Sequence, residues 1–132
     1  MSWLTGLTQN RAELDPGDPD PLLRPARLSA PPADVAQRLR AWADQTPRWC
    51  PVSEETHSEG GIRIHLTRRT RLFRFTDDVH VDLIPERTST SNAADAGPTT
   101  TVLMAVSQSR VGKGDLGQNR RNLKELVTGL KG

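Results

Sequence analysis

Three glycines near the C-terminus have the spacing of a phosphate-binding loop. Gly112, Gly114 and Gly117 lie in "SRVGKGDLGQN" and reproduce the G-x-G-x-x-G pattern of a dinucleotide-binding turn. Such a turn needs a second parallel strand after its helix, and an acidic residue about 20 positions on to bind the ribose. Only 15 residues follow Gly117, and Asp115 would occupy the positive helix end that a phosphate requires. The pattern therefore predicts a structural strand–turn–helix corner, where glycine permits unusual backbone conformations.

An acidic pair and an arginine form a second group that could do chemistry. Asp77 and Asp78 open one predicted strand, and Arg110 closes another. If these strands are antiparallel neighbours, Arg110 lies beside an aspartate, and the two acids face opposite sides of the sheet. We expect this ion pair inside the fold, with Asp115 and Asn119 capping the last helix. Replacing Arg110 with alanine is then expected to lower the melting temperature by many degrees.

The same group also suggests a functional site. The aspartates could bind a hard cation with His80 nearby, or one carboxylate could act as a general base while Arg110 binds an anionic substrate group. Either arrangement would be a metal-assisted or acid/base hydrolase, although no Ser-His-Asp order or zinc-ligand spacing is present. We expect no bound cofactor or metal. The candidate polar site comprises Asp77, Asp78, Arg110, Asp115 and Asn119.

Two segments have the periodicity of amphipathic helices. In "SAPPADVAQRLRAWADQTPR", Val35, Leu39, Trp42 and Ala43 fall on one helical face, and two prolines precede them. In "LGQNRRNLKELVTGLKG", leucines and a valine form one stripe and basic residues occupy the other side. Each helix therefore needs an apolar surface to cover.

Four segments between these helices have strand character. "GGIRIHLTRR" and "TDDVHVDLIPE" alternate apolar and polar residues, "TTTVLMAVSQS" is apolar on both faces, and "RWCPVSEE" contains Pro51, which favours a sheet edge or a bulge. We predict an α+β fold: an antiparallel sheet of about four strands, with the two helices packed on one face.

The first 28 residues differ in composition from the rest. Six of the ten prolines lie within the first 32 residues, and proline breaks both helices and central strands. We therefore predict an extended arm over residues 1–28, with apolar contacts from Trp3, Leu4, Leu7, Leu22 and Leu23, and a single domain over residues 29–132.

Charge is distributed in blocks. The net charge of +2 is the balance of −3 over residues 1–60, +5 over 61–76, −4 over 77–108 and +4 over 109–132. Such alternation predicts ion pairs within the fold and makes nucleic acid an improbable partner, because nucleic-acid binding favours one basic face. We expect a small molecule or a protein as partner. No stretch is apolar enough for a membrane span, and we expect a soluble, cytoplasmic protein.

Two stretches together resemble a known family. "LFRFTDDV" and "SQSRVGKGDLGQNRRNLKEL" are similar to the uncharacterised family catalogued as domain of unknown function 1499, whose members carry Phe-x-Asp-Asp on one strand and end in Ser-x-Ser-Arg-Val-Gly, an Asp-Leu-Gly-x-Asn turn and a basic helix. The resemblance extends from about Asn10 to Leu130. It supports the predicted domain boundaries and brings no established activity. From the residues we expect a small soluble α+β domain, a structural or binding module whose signature residues close the strand–turn–helix corner. It is most specific at Phe75, Asp77, Asp78, Ser109, Arg110, Gly112, Asp115, Gly117 and Asn119.

Overall fold

The computed structural model describes residues 11–57, 60–70, 75–86, 100–110 and 116–131. Within these ranges it contains an antiparallel sheet and two helices, which confirms the predicted α+β class. The helices are α1 (Pro32–Gln45) and α2 (Leu116–Lys131). The strands are β1 (Arg11–Glu13), β2 (Ala26–Leu28), β3 (Trp49–Thr56), β4 (Ile62–Arg69), β5 (Thr76–Glu86) and β6 (Thr100–Ser109).

The sheet contains more strands than the four that alternation predicts. Strands β3, β4, β5 and β6 are neighbours in that order, and both β1 and β2 pair with β6 beyond them. Strand β1 pairs with one end of β6 and β2 with the other, so two three-residue strands share one edge. Strands this short are hard to recognise from a period-two pattern. The division of the chain at residue 28 stays a prediction.

The connection between β1 and β2 is attached to the rest of the fold. Its Leu23 is buried, and Leu14 donates its backbone N–H to the carbonyl of Ala105 in β6. Asp18 pairs with Arg120 of α2 at 2.9 Å, and Asp20 pairs with Lys124 of α2 at 3.0 Å. Acidic side chains from residues 1–60 therefore form ion pairs with basic side chains from residues 109–132, as the charge pattern predicts.

One face of the sheet is buried and the other is not. Ile64, Leu66, Val79, Val81 and Leu103 point to the buried face and share one core with both helices. Their strand neighbours point to the opposite face, which neither helix covers, and which is called the outer face below. Strand β3 lies at the sheet edge and has a bulge between Pro51 and Ser53, which confirms the expectation for Pro51.

The two helices touch at a glycine. A Cβ atom built on Gly129 of α2 would lie 2.1 Å from the indole Nε1 of Trp42 in α1. Arg38 of α1 also donates a hydrogen bond to the backbone carbonyl of Leu130. Trp42 itself contacts Trp49, with ring centroids 4.8 Å apart. The close approach of the helices thus depends on a residue without a side chain.

Neither described helix is long and apolar enough to cross a membrane.

We expect Gly129→Ala to destabilise the fold, because the stiff Trp42 ring must move to admit a methyl group. Overpacking of this kind costs about 1–3 kcal/mol, although the better helix propensity of alanine offsets part of it. Chemical denaturation would measure the loss. Thr128→Ala is the matched control, since Thr128 is exposed on the same helix. A Gly129 variant as stable as the control would contradict the packing argument.

Candidate functional site

The adjacent carboxylates of Asp77 and Asp78 lie on opposite faces of the sheet. Asp77 is 1% exposed and points toward the helices, whereas the Asp78 side chain is 24% exposed and points to the outer face. In the register of β5 against β6, Asp77 lies opposite Ser109 and Asp78 opposite Gln108. Strand alternation thus gives the two acids separate surroundings, and one ligand cannot bind both.

Asp77 belongs to a buried set of hydrogen bonds that we call the inner network: Asp77, Ser107, Ser109, Asn119 and Asn122. Asn122 Nδ2 donates to Asp77 Oδ2 at 2.8 Å and to Ser107 Oγ at 3.1 Å. Ser107 Oγ donates to Asn119 Oδ1 at 2.7 Å, and Asn119 Nδ2 donates to Ser109 Oγ at 3.1 Å. Among the described residues, no buried side-chain nitrogen or oxygen lacks a partner. The inner network therefore fastens α2 to β5 and β6 without an unpaired polar group.

Two members of the inner network, Ser107 and Asn122, were not among the residues selected from the sequence. A signal for Asn122 exists, because Asn122, Leu126 and Leu130 recur at the helical spacing of four residues. A polar residue in an otherwise apolar stripe must find a hydrogen-bond partner across the interface. The partners themselves depend on the strand register, which one sequence does not reveal.

Asp78 binds two side chains on the outer face. Arg110 donates from Nε to Oδ2 at 2.8 Å and from Nη2 to Oδ1 at 3.0 Å, and His65 Nε2 lies 2.7 Å from Oδ1. The predicted pairing of Arg110 with an aspartate is confirmed, but its predicted position inside the fold is wrong. The Arg110 side chain is 55% exposed, because its partner is the aspartate on the face that neither described helix covers.

These contacts determine the ionisation of Asp78 and the tautomer of His65. The hydrogen bonds from Arg110, and then those from His65, lower the pKa of Asp78 to about 2, against the opposing effect of partial burial. An ionised carboxylate only accepts hydrogen bonds, so His65 Nε2 must carry a hydrogen. When His65 is neutral, its lone pair is therefore on Nδ1.

A second histidine packs against the first. His65 of β4 lies directly opposite His80 of β5, and the two rings stack with centroids 4.5 Å apart and planes 14° apart. Loss of water around the ring lowers the pKa of His80, and the positive charges of His65 and Arg63 lower it further. Asp78, Arg110, His65 and His80 are called the outer cluster below.

A shallow concavity opens beside the outer cluster. Its volume is about 260 Å³, and it is lined by Ser53, Glu55, Arg63, His65 and His80. Arg63 is paired with Asp82 of β5 through two hydrogen bonds of 2.8 and 3.1 Å. The concavity thus brings a hydroxyl, a carboxylate, a guanidinium and two imidazoles to one place on the sheet.

Apolar side chains lie next to the outer cluster. Val102, Met104 and Val106 of β6 are half-buried on the outer face, and Ile84 of β5 is 46% exposed. Val106 lies directly opposite His80 in the strand register. The outer face therefore offers polar groups over β4 and β5 beside an apolar strip over β6.

The other residues selected from the sequence have different outcomes. Gly112, Gly114 and Asp115 lie outside the described residues. Gly117 was expected in the turn, but it lies in the first turn of α2, where the backbone is helical. Among the described glycines, Gly60 is the one with a positive φ angle, of 87°. Within the described part of the chain, no three His, Cys, Asp or Glu side chains form a metal-binding group.

We expect Asn122→Ala to lower stability, because the buried Asp77 carboxylate would lose a donated hydrogen bond. Leaving a buried donor or acceptor without its partner costs about 1–3 kcal/mol. Urea denaturation would measure the difference, with Thr128→Ala of the exposed face of α2 as the control. If both variants unfold at the same urea concentration, the inner network does not hold the helix.

We expect Arg110→Ala to raise the pKa of Asp78 and to lower the melting temperature by less than the many degrees that the sequence predicts, since an ion pair with an exposed arginine stabilises a fold less than a buried one. The pKa of Asp78 should rise from about 2 toward its ordinary value. In the unmodified protein, the stability that Asp78 contributes is complete above about pH 4 and is lost as the pH falls toward 2.

Carbon-13 NMR of the Asp78 carboxyl group would follow this titration directly. Arg27→Ala is a suitable control, because Arg27 forms an exposed ion pair with Glu86, which lies at the opposite end of β5 from Asp78. An Asp78 titration that is the same in both variants would show that Arg110 does not stabilise the carboxylate.

Comparison with known proteins identifies a family and no characterised relative. The family model described as "Protein of unknown function (DUF1499)" matches residues 7–130 of the 132-residue chain. The protein therefore belongs to the DUF1499 family, as the sequence resemblance predicts. No curated protein and no solved structure matches the chain.

Proposed function

We propose that this member of the DUF1499 family is a binding module whose ligand site is the outer cluster and the adjoining concavity. In this proposal the inner network is structural, because it joins α2 to the sheet from the buried side. The outer cluster is the binding part, because it is accessible and groups charged and neutral polar side chains around one concavity.

One observation carries the proposal: a single carboxylate on the uncovered face orients two different side chains. Asp78 binds Arg110 through both oxygens and binds His65 at the same time. Exposed ion pairs contribute little to stability, and the core lies on the other side of the sheet. The arrangement is therefore better explained by positioning for a ligand than by a need of the fold.

The chemistry of the concavity favours a small polar ligand. Sites for small molecules combine a few converging polar groups with nearby apolar surface. Here Ser53, Glu55 and Arg63 accompany the two histidines, and Val106 and Met104 provide the apolar surface beside them. Because these groups lie on paired strands, their spacing is fixed by the sheet hydrogen bonds.

The hydrolase considered from the sequence finds no support in the described residues. Its two central acids, Asp77 and Asp78, are separated by the sheet, and Asp77 is enclosed by the inner network. Arg110 already binds Asp78 with two hydrogen bonds, so it would have to exchange that partner to hold a substrate anion.

The cytoplasmic location predicted from the sequence stays a proposal, which imaging of a tagged chain would test.

Amide NMR would test the binding site with defined probes. We expect at least one of zinc chloride, sodium phosphate and sodium citrate, added singly, to shift the resonances of His65, Asp78 and His80 in a saturable way. The double variant Asp78→Ala/His80→Ala should lose the response, whereas Arg27→Ala, changed at the far edge of the sheet, should keep it. The proposal fails if none of the probes produces saturable shifts at these three residues.

A further inference from the structure

The two stacked histidines on β4 and β5 are placed to act together. The register sets His65 directly opposite His80, and their ring centroids are 4.5 Å apart. The chain has three histidines, and the third, His57, follows the far end of β3 and is exposed. Two imidazoles on adjacent strands of a sheet can reach one ion, because side chains directly opposite each other are the closest across a sheet.

His65 has the second contact that a metal-ligating histidine usually has. Such a histidine donates its other ring N–H to a carboxylate, which fixes the tautomer and the orientation of the ring. Asp78 accepts this hydrogen bond from His65 Nε2 at 2.7 Å and is itself held by Arg110. Nδ1 of the neutral ring is then left with a lone pair for a ligand.

The charges around the pair do not exclude a cation. Two arginines near the histidines are each bound by an aspartate, Arg63 by Asp82 and Arg110 by Asp78. These four side chains therefore carry no net charge together. Glu55, which also lines the concavity, adds a negative charge. The concavity of about 260 Å³ leaves room for an ion with its water molecules.

We propose that His65 and His80 together bind a divalent transition-metal ion such as Zn²⁺ or Cu²⁺, with water or a ligand from solution in the remaining coordination positions. The inference rests on the proposed function, because it names the ligand class of the same site. Neutral imidazole suits Zn²⁺ and Cu²⁺ well. With two protein ligands, and no group of three among the described residues, the site is open and of modest affinity.

The ring geometry requires one small adjustment. Because the ring planes are only 14° from parallel, the rings must turn about χ2 for one nitrogen of each to face the same ion. This torsion is broad in histidine, so the turn is inexpensive. If His80 makes this turn, His65 keeps the contact between its Nε2 and the carboxylate of Asp78.

Binding would be measured by calorimetric titration with zinc chloride in a Cys50→Ser background. The substitution removes the exposed thiol, which is a strong ligand for these metals. We expect His65→Ala and His80→Ala each to weaken zinc binding at least tenfold, because each leaves one imidazole. His57→Ala should change the affinity less than twofold. Equal losses from His57 and from the pair would indicate adventitious surface binding and overturn the inference.

Electron paramagnetic resonance with one equivalent of Cu²⁺ would test the ligand set independently of affinity. Two imidazole nitrogens are expected in the spectrum of the Cys50→Ser protein, and one in either His65→Ala or His80→Ala. The melting temperature of each variant without metal should change little, because both rings lie outside the core. A one-nitrogen spectrum before substitution would contradict joint binding.

The two proposals fail in different ways. If zinc does not shift the amide resonances of His65 and His80 but phosphate or citrate does, the metal inference falls and the binding site stands. If none of the three probes shifts them, both fall.

Discussion

The period-two alternation of strand β5 is the constraint on which the rest of the structure depends. It sends Asp77 to the helix side and Asp78 to the outer face, although the two residues are adjacent in the chain. A slip of one residue in the pairing of β5 would exchange them. It would bury Asp78 without Asn122 to donate to it, and it would expose the apolar side chains of β5 to water. Burial of the core therefore places Asp77 in the inner network and Asp78 in the outer cluster.

The inner network favours the observed strand register over shifted ones, in addition to the burial of apolar side chains. Apolar residues define which face is buried, but similar side chains could pack in more than one arrangement. The side-chain amides of Asn122 and Asn119 of α2 donate to groups that β5 and β6 present, Asp77, Ser107 and Ser109. A buried polar group without a partner is costly, so shifted arrangements of helix and sheet are disfavoured. The same register sets His65 beside His80 on the opposite face.

Much of the fold is predictable from the sequence because alternation and helical periodicity are local. The two helices, strands β3 to β6 and the bulged edge at Pro51 follow from such patterns. Strands β1 and β2 do not, since three residues carry too little pattern, and their pairing with β6 spans much of the chain. In the candidate site, the pairing of Arg110 with an aspartate follows from strand order, but its exposure depends on which face the helices cover. The contact between His65 and His80 depends on register, so it too needs the structure.

The residues that carry the family resemblance are divided between the two faces, and this division bears on function. Asp77, Ser109 and Asn119 belong to the inner network, where their contribution is to stability. Asp78 and Arg110 belong to the outer cluster, where an exposed pair adds little to stability. Closing the corner between β6 and α2 does not by itself require Asp78 and Arg110 to pair on the outer face. Because rigid strands hold the outer cluster, it can be altered without loss of the core, and binding and stability can be measured as separate properties of one motif.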